Sequence, residues 1–146
     1  TLLTVGNTVT GTVTNNGTIT LATGGDIVGT TTMGDVGDIL NLHDTAIGIV
    51  AGTGTINSGQ DLTTGAAMAG TNLNVTGNTL ILGAAATATT ITISSGATLN
   101  AATNDQVITG AVVNNGTLAL DENEVTGIIT GTGVITMADD YTAAAA

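Results

Sequence analysis

The residues best able to do chemistry are few. His43 is the single imidazole of the chain and stands next to Asp44. A nucleophilic triad needs such a pair hydrogen-bonded on one face with a serine in reach. Adjacent residues of a strand point to opposite faces, however, and the only serines are Ser58, Ser94 and Ser95. His43 is therefore read as a surface or turn histidine. Paired carboxylates could in principle meet as in a glycosidase, but a sugar must also be held by cations or aromatic rings, and the one aromatic residue is Tyr141. A lyase needs a basic proton acceptor, which only His43 could supply. The expectation is a protein that is not an enzyme.

Metal binding would have to use oxygen. Asp121, Glu122 and Glu124 form one acidic cluster, Asp139 and Asp140 a second, and Asp35 and Asp38 a third. Clusters of this kind suit Ca²⁺. The regular calcium-binding nonapeptide of β-rolls is missing, with Gly24-Gly25-Asp26 its lone fragment. Solvated loops are the plainer reading, Ca²⁺ is the alternative, and no other cofactor is expected.

The rest of the composition removes whole classes of function. The chain has 146 residues, no Lys or Arg, 11 Asp plus Glu and a formal net charge of −11. Nucleic acid and anionic membrane surfaces are bound by neutralising phosphates with cations, so both are excluded as partners. A P-loop lysine, a Schiff-base lysine and an arginine finger are impossible. Without cysteine there is no disulfide, thiolate nucleophile or Cys-based zinc site. No apolar run is long enough to cross a bilayer as a helix, so direct membrane insertion is not expected.

These sparse polar groups must be positioned by a repeat. One eleven-residue pattern occurs at 11–21, 48–58, 110–120 and 127–137, each reading as strand, two-residue corner, glycine, strand. Looser copies begin at Gly37, Gly77 and Gly96. Taking the corner glycine as a marker gives Gly17, Gly37, Gly54, Gly77, Gly96, Gly116 and Gly133, about 19 residues apart. The longest interval, from Gly54 to Gly77, suggests an outward loop around Gly59-Gln60-Asp61 and residues 63–70.

Apolar and polar residues alternate around each marker, the period-2 signature of strands with one buried face. Ile19 and Leu21, Ile39, Ile56, Leu80 and Leu82, Leu99, Leu118 and Leu120, and Ile135 and Met137 are expected to point inward. Gly and Thr together exceed a third of the chain and Trp and Phe are absent, which favours short strands, tight turns and a narrow aliphatic interior. A unit this short, without helices, suits one turn of a solenoid. The fold expected is all-β: a parallel β-solenoid (β-helix) of about seven rungs, forming one domain over 1–146. The marker glycines are assigned to corners where a positive φ or a close approach excludes a Cβ. The asparagines of 15–16 and 114–115 suit the same corners.

Threonine spacing offers a sharper alternative. Thr10, Thr30, Thr89, Thr109 and Thr126 each lie seven residues before a marker, and Thr12 and Thr32 stand two residues beyond Thr10 and Thr30. A flat outward array of threonines is a surface that can hold ordered water and bind ice. The sequons at Asn16, Asn74 and Asn115 are no more than this composition yields by chance.

Residues 77–100 resemble the passenger-associated repeat of autotransporter proteins, with its Gly-Thr-Leu-x-Leu strand, polar turn, Thr-x-Ile strand and Gly-x-Leu. The Asn-Asn-Gly stretches at 15–21 and 114–120 look like the same kind of rung, as in large bacterial adhesins and rickettsia-type outer-surface proteins. The resemblance implies a right-handed β-solenoid on a cell surface. The function expected is a non-catalytic structural or adhesive solenoid outside the cell: a stalk, a filament subunit or a surface-layer component. Unpaired strand edges at the ends of a solenoid favour end-to-end self-association, by a subunit or by a fragment of a longer chain. A host-surface or matrix ligand is the other partner class such a rod implies.

Overall fold

Strands form where threonine and β-branched residues alternate with apolar ones, and they are short because glycine or asparagine interrupts each run. The computed structural model describes residues 2–43, 47–104, 106–121 and 125–138. It is a parallel β-solenoid of about seven turns spaced about 18 residues apart. The expected all-β solenoid is thus the observed one, with a repeat slightly shorter than the glycine spacing suggested.

The first turn holds β1 (Leu2–Val5), β2 (Thr8–Val9) and β3 (Val13–Asn15), and the second holds β4 (Thr18–Leu21), β5 (Asp26–Ile27) and β6 (Thr31–Met33). The third has β7 (Ile39–Leu42) and β8 (Val50–Gly52). β9 (Thr55–Ser58), β10 (Leu62–Thr63), β11 (Met68–Val75), β12 (Thr79–Ile81) and β13 (Ala86–Ile93) continue the coil. After β14 (Thr98–Asn100) comes a single 3₁₀ turn, Ala102–Asn104. β15 (Ile108–Asn114), β16 (Thr117–Leu120), β17 (Val125–Thr126), β18 (Ile129–Thr130) and β19 (Val134–Met137) complete it.

Chain order sorts these strands onto three sides. The first side stacks β1, β4, β7, β9, the second halves of β11, β13 and β15, and then β18. The second side is the β10-β12-β14-β16-β19 sheet, with the short β2–β5 pair standing between the first and third sides in the earliest turns. The third side stacks β3, β6, β8, the first halves of β11, β13 and β15, and β17. Every pairing is parallel, so each strand repeats its own direction one turn later.

Inward residues form aliphatic columns. Ile19, Leu40, Ile56, Leu73, Ile91 and Val112 stack on the first side, and Leu62, Leu80, Leu99 and Leu118 on the second; all are buried. Each full burial of such a side chain contributes about 1.5–3 kcal/mol, in a chain with no Lys or Arg to form ion pairs. Polar side chains also enter the interior, among them Asn15, Thr31, Ser58, Thr64 and Asn114. Thr31 Oγ1 and Ser58 Oγ are buried without a hydrogen-bond partner.

The structure corrects the phase of the repeat. Gly17, Gly37 and Gly54 precede strands of the first side, whereas Gly77, Gly96, Gly116 and Gly133 precede strands of the second. The same local motif therefore builds two different corners. Residues 59–70 are not an outward loop: Leu62–Thr63 is the first strand of the β10-β19 sheet, Met68 begins β11, and Leu62, Thr64 and Met68 are buried. Ile39 is also corrected. It pairs with Thr18 and Thr55 on the outside, and Leu40 and Leu42 point inward, because Asp38 and not Gly37 is level with Gly17 and Gly54. A one-residue offset turns every side chain of a strand over.

Of the seven marker glycines, only Gly96 has a positive φ, at 81°. Gly54, Gly116 and Gly133 exclude a Cβ by close approach to the turn beneath them. The tightest glycine stack lies elsewhere, at the corner entering the third side. A Cβ on Gly29 would overlap the carbonyl of Gly11, and one on Gly48 the carbonyl of Gly29. The asparagine with left-handed backbone is Asn78, at φ 53°, not a member of either Asn-Asn pair.

Candidate interaction surfaces

Strand alternation puts half of each side outward, and the two long sides differ in chemistry. On the first side the outward positions of successive turns are Thr20, Asn41, Asn57, Asn74 and Thr92. Each asparagine donates through Nδ2 to the turn below: Asn41 to Thr20 Oγ1 at 3.0 Å, Asn57 to Asn41 Oδ1 at 2.8 Å and Asn74 to Asn57 Oδ1 at 2.9 Å. Beside them Asn72 donates to Thr55 Oγ1 at 3.3 Å. Their amides are spent on one another along the axis. The alternation that reveals the strands carries no sign of this amide ladder. Three asparagines next to last in their strands, at 41, 57 and 74, are the signal that could have found it.

The third side is different. Its outward rank is Thr14, Thr32, Ala51, Ala69, Thr87, Thr109 and Thr126. Beside it runs a second rank, Thr12, Thr30, Ile49, Ala67, Ala85 and Val107, joined turn to turn through the backbone. Every residue in both ranks carries a methyl group and none is charged. Neighbours along a rank are about 4.8 Å apart, and the ranks are separated by two residues of strand, about 6.7 Å. Thr126 Oγ1 bonds Thr109 Oγ1 at 3.1 Å.

The threonines singled out from sequence are thus only partly gathered. Thr109 with Thr126, Thr12 with Thr30, and Thr32 lie on this side. Thr10 is level with Val28 near the corner entering it, and Thr89 lies at the bend between the halves of β13. Thr14 and Thr87 complete the array and were missed, because a spacing counted from glycines does not keep phase with the coil.

The described carboxylates are mostly engaged with backbone. Asp38 is buried and accepts from the N–H groups of Gly34 and Asp35, both at 3.0 Å, while Asp35 accepts from Gly37 at 3.1 Å. Asp61 accepts from Thr79 N–H at 2.9 Å. Among the described residues no group of three or more His, Cys, Asp or Glu could hold a metal ion. Of the Ca²⁺ candidates Asp35, Asp38 and Asp121 are described; Glu122, Glu124, Asp139 and Asp140 lie outside the described residues, as do Asp44 and Tyr141. His43 is half-buried just after β7. No described helix is long and apolar enough to cross a membrane.

The ends form the last candidate surface. Among the described residues no strand pairs with the outer edges of β17, β18 and β19, or with those of β1, β2 and β3. Ile135 sits directly above Leu118 and Met137 above Leu120, yet they are 46% and 39% exposed, while the side chains beneath them are buried. Ile128, at 74%, and Val134, at 58%, add to this apolar end. No family model, curated protein or solved structure matches the chain. Its resemblance to passenger-associated repeats rests on residues 77–100 and the two Asn-Asn-Gly stretches alone.

Proposed function

We propose that the protein is a non-catalytic structural rod working outside the cell, as a stalk or filament subunit, that associates end to end. The observation carrying this reading is the last described turn. Ile135 and Met137 occupy positions that are buried in the turns below, and among the described residues no strand pairs with the edges around them. Since all strands run parallel, a second copy stacked in the same axial direction supplies edges of matching polarity from β1, β2 and β3. The uncharged long sides leave lateral surface free for a host-surface or matrix ligand. The test is the mass of the full chain by light scattering as concentration rises, with images of the particles. Rods growing in length support the reading. Ile135→Lys combined with Met137→Lys should then hold the chain at monomer mass with its β signal intact. A wild-type chain that stays monomeric at all concentrations overturns it.

The two methyl-bearing ranks of the third side favour a second reading, adsorption to ordered water at an ice surface. An uncharged face with a repeated turn-to-turn spacing suits a lattice whose repeats are of the same order, with hydroxyls anchoring waters and methyl groups ordering their neighbours. Thermal hysteresis by the wild type, lost in Thr87→Lys, supports it; its absence at high concentration rejects it.

A further inference from the structure

Asn-Gly occurs twice in the sequence, at 16–17 and 115–116, and in both places another asparagine precedes it. The dipeptide is chemically fragile. The glycine nitrogen can attack the asparagine side-chain carbonyl carbon, forming a C–N bond while the Cγ–Nδ2 bond breaks. The glycine proton leaves with the amide nitrogen as ammonia. Water then opens the resulting succinimide to aspartate or isoaspartate, with no change of oxidation state. Glycine cannot simply be replaced at the second site, because a Cβ on Gly116 would collide with the carbonyls of Ser94 and Ala97. Packing thus imposes the hazard on the corner.

Asn16 and Asn115 are exposed, whereas the asparagines just before them are buried, Asn15 at 3% and Asn114 at 2% exposure. Both buried residues make the same pair of bonds on different sides of the coil. Asn15 Nδ2 donates to Ile39 O at 2.9 Å, and Asn114 Nδ2 donates to Val134 O at 2.9 Å, each across one turn. Their Oδ1 atoms accept from the attacking nitrogens themselves, from Gly17 N–H at 3.2 Å and from Gly116 N–H at 3.1 Å. Asn115 is further held by the Thr132 N–H, which donates to its Oδ1 at 3.4 Å.

We propose that Asn16 and Asn115 are latent deamidation sites, and that the buried Asn15 and Asn114 keep them latent by occupying the glycine N–H that would otherwise attack. The buried amide is fixed from above by the next turn, so the protection exists only while the turns are stacked. Isoaspartate adds a carbon to the backbone at the corner. Once formed at Asn115, it would stop Gly116 from returning to its place against Ser94 and Ala97.

The two sites serve as controls for each other. The folded full chain carrying Asn15→Ala is aged at neutral pH, cut with an Asp-specific protease because it offers trypsin no site, and assayed for isoaspartate by mass spectrometry. Deamidation at Asn16 should rise about tenfold, the change that losing one hydrogen bond of ordinary net strength permits. Asn115 in the same molecules should keep the wild-type rate. Asn114→Ala should give the reverse pattern, which covers the case in which one variant does not fold. A rise at neither site, or an equal rise at both in either folded variant, overturns the proposal. The second result would mean general loosening and not a local guard.

Discussion

The side-chain amide of Asn114 occupies the space in which Gly133, one turn above, would carry a Cβ. An atom built there lies 2.6 Å from Oδ1 and 2.8 Å from Cγ of Asn114, whose Nδ2 donates to Val134 O. The two residues are complementary, a buried amide below and a bare backbone above. The polar group that enters the core is thereby satisfied without widening the coil.

Gly133→Ala should therefore destabilise the fold by about 1–3 kcal/mol, the usual cost of forcing an atom into filled space. Thermal melting would register it as a lowered midpoint. Combining it with Asn114→Ala should recover part of the loss. Recovery stays incomplete, because the new Cβ also meets the carbonyl of Gly116.

Thr31→Val should leave stability unchanged or raise it by up to about 1 kcal/mol, since removing a buried hydroxyl that lacks a partner relieves a desolvation cost. Thr31 is fully buried between Val13 and Val50, so valine continues the column at nearly constant volume. Denaturant titration decides the sign. A loss greater than 1 kcal/mol would mean that the hydroxyl is satisfied in solution.

Leu99→Ala should cost about 2–5 kcal/mol. Leu99 is wholly buried midway along the Leu62, Leu80, Leu99 and Leu118 column, with strands paired both above and below. Backbone ladders on each side resist collapse into the void, so the upper part of that range is expected in chemical denaturation. Met137→Ala, at a side chain that is 39% exposed, should cost much less.

How much of this was legible in the sequence depended on what each signal encodes. Alternation correctly placed Leu80, Leu99 and Leu118 in one column, because side-chain direction along a strand is local. The glycine motif encodes a corner but not which corner. Gly54 and Gly77 therefore looked equivalent although they open different sides of the coil. Ile39 was misplaced for a related reason: register is set by pairing with Thr18 and Thr55, residues of neighbouring turns that local pattern does not reveal. The third-side array was half visible, since Thr109 and Thr126 share a slot that Ala51 and Ala69 fill in the middle turns.

Ionic strength should control association of the ends. With a net charge of −11 and no cation to compensate it, two copies repel at long range. Raising salt from about 0.01 M to about 0.15 M shortens the screening length from about 30 Å to about 8 Å. Light scattering should then show longer particles at the higher salt. Shorter particles would indicate that ionic attraction, and not apolar contact with edge pairing, joins the copies.

The all-parallel stacking also sets how the rod responds to load. Hydrogen bonds between turns lie along the axis, so tension applied to the two ends of the chain peels strands from the outermost turn while inner turns bear it unchanged. Each turn of about 18 residues that opens pays out roughly 60 Å of chain in place of about 4.8 Å of rod. The molecule would lengthen in discrete steps at nearly constant force and rewind when released. A coil of this kind yields under a sudden tug without breaking a covalent bond.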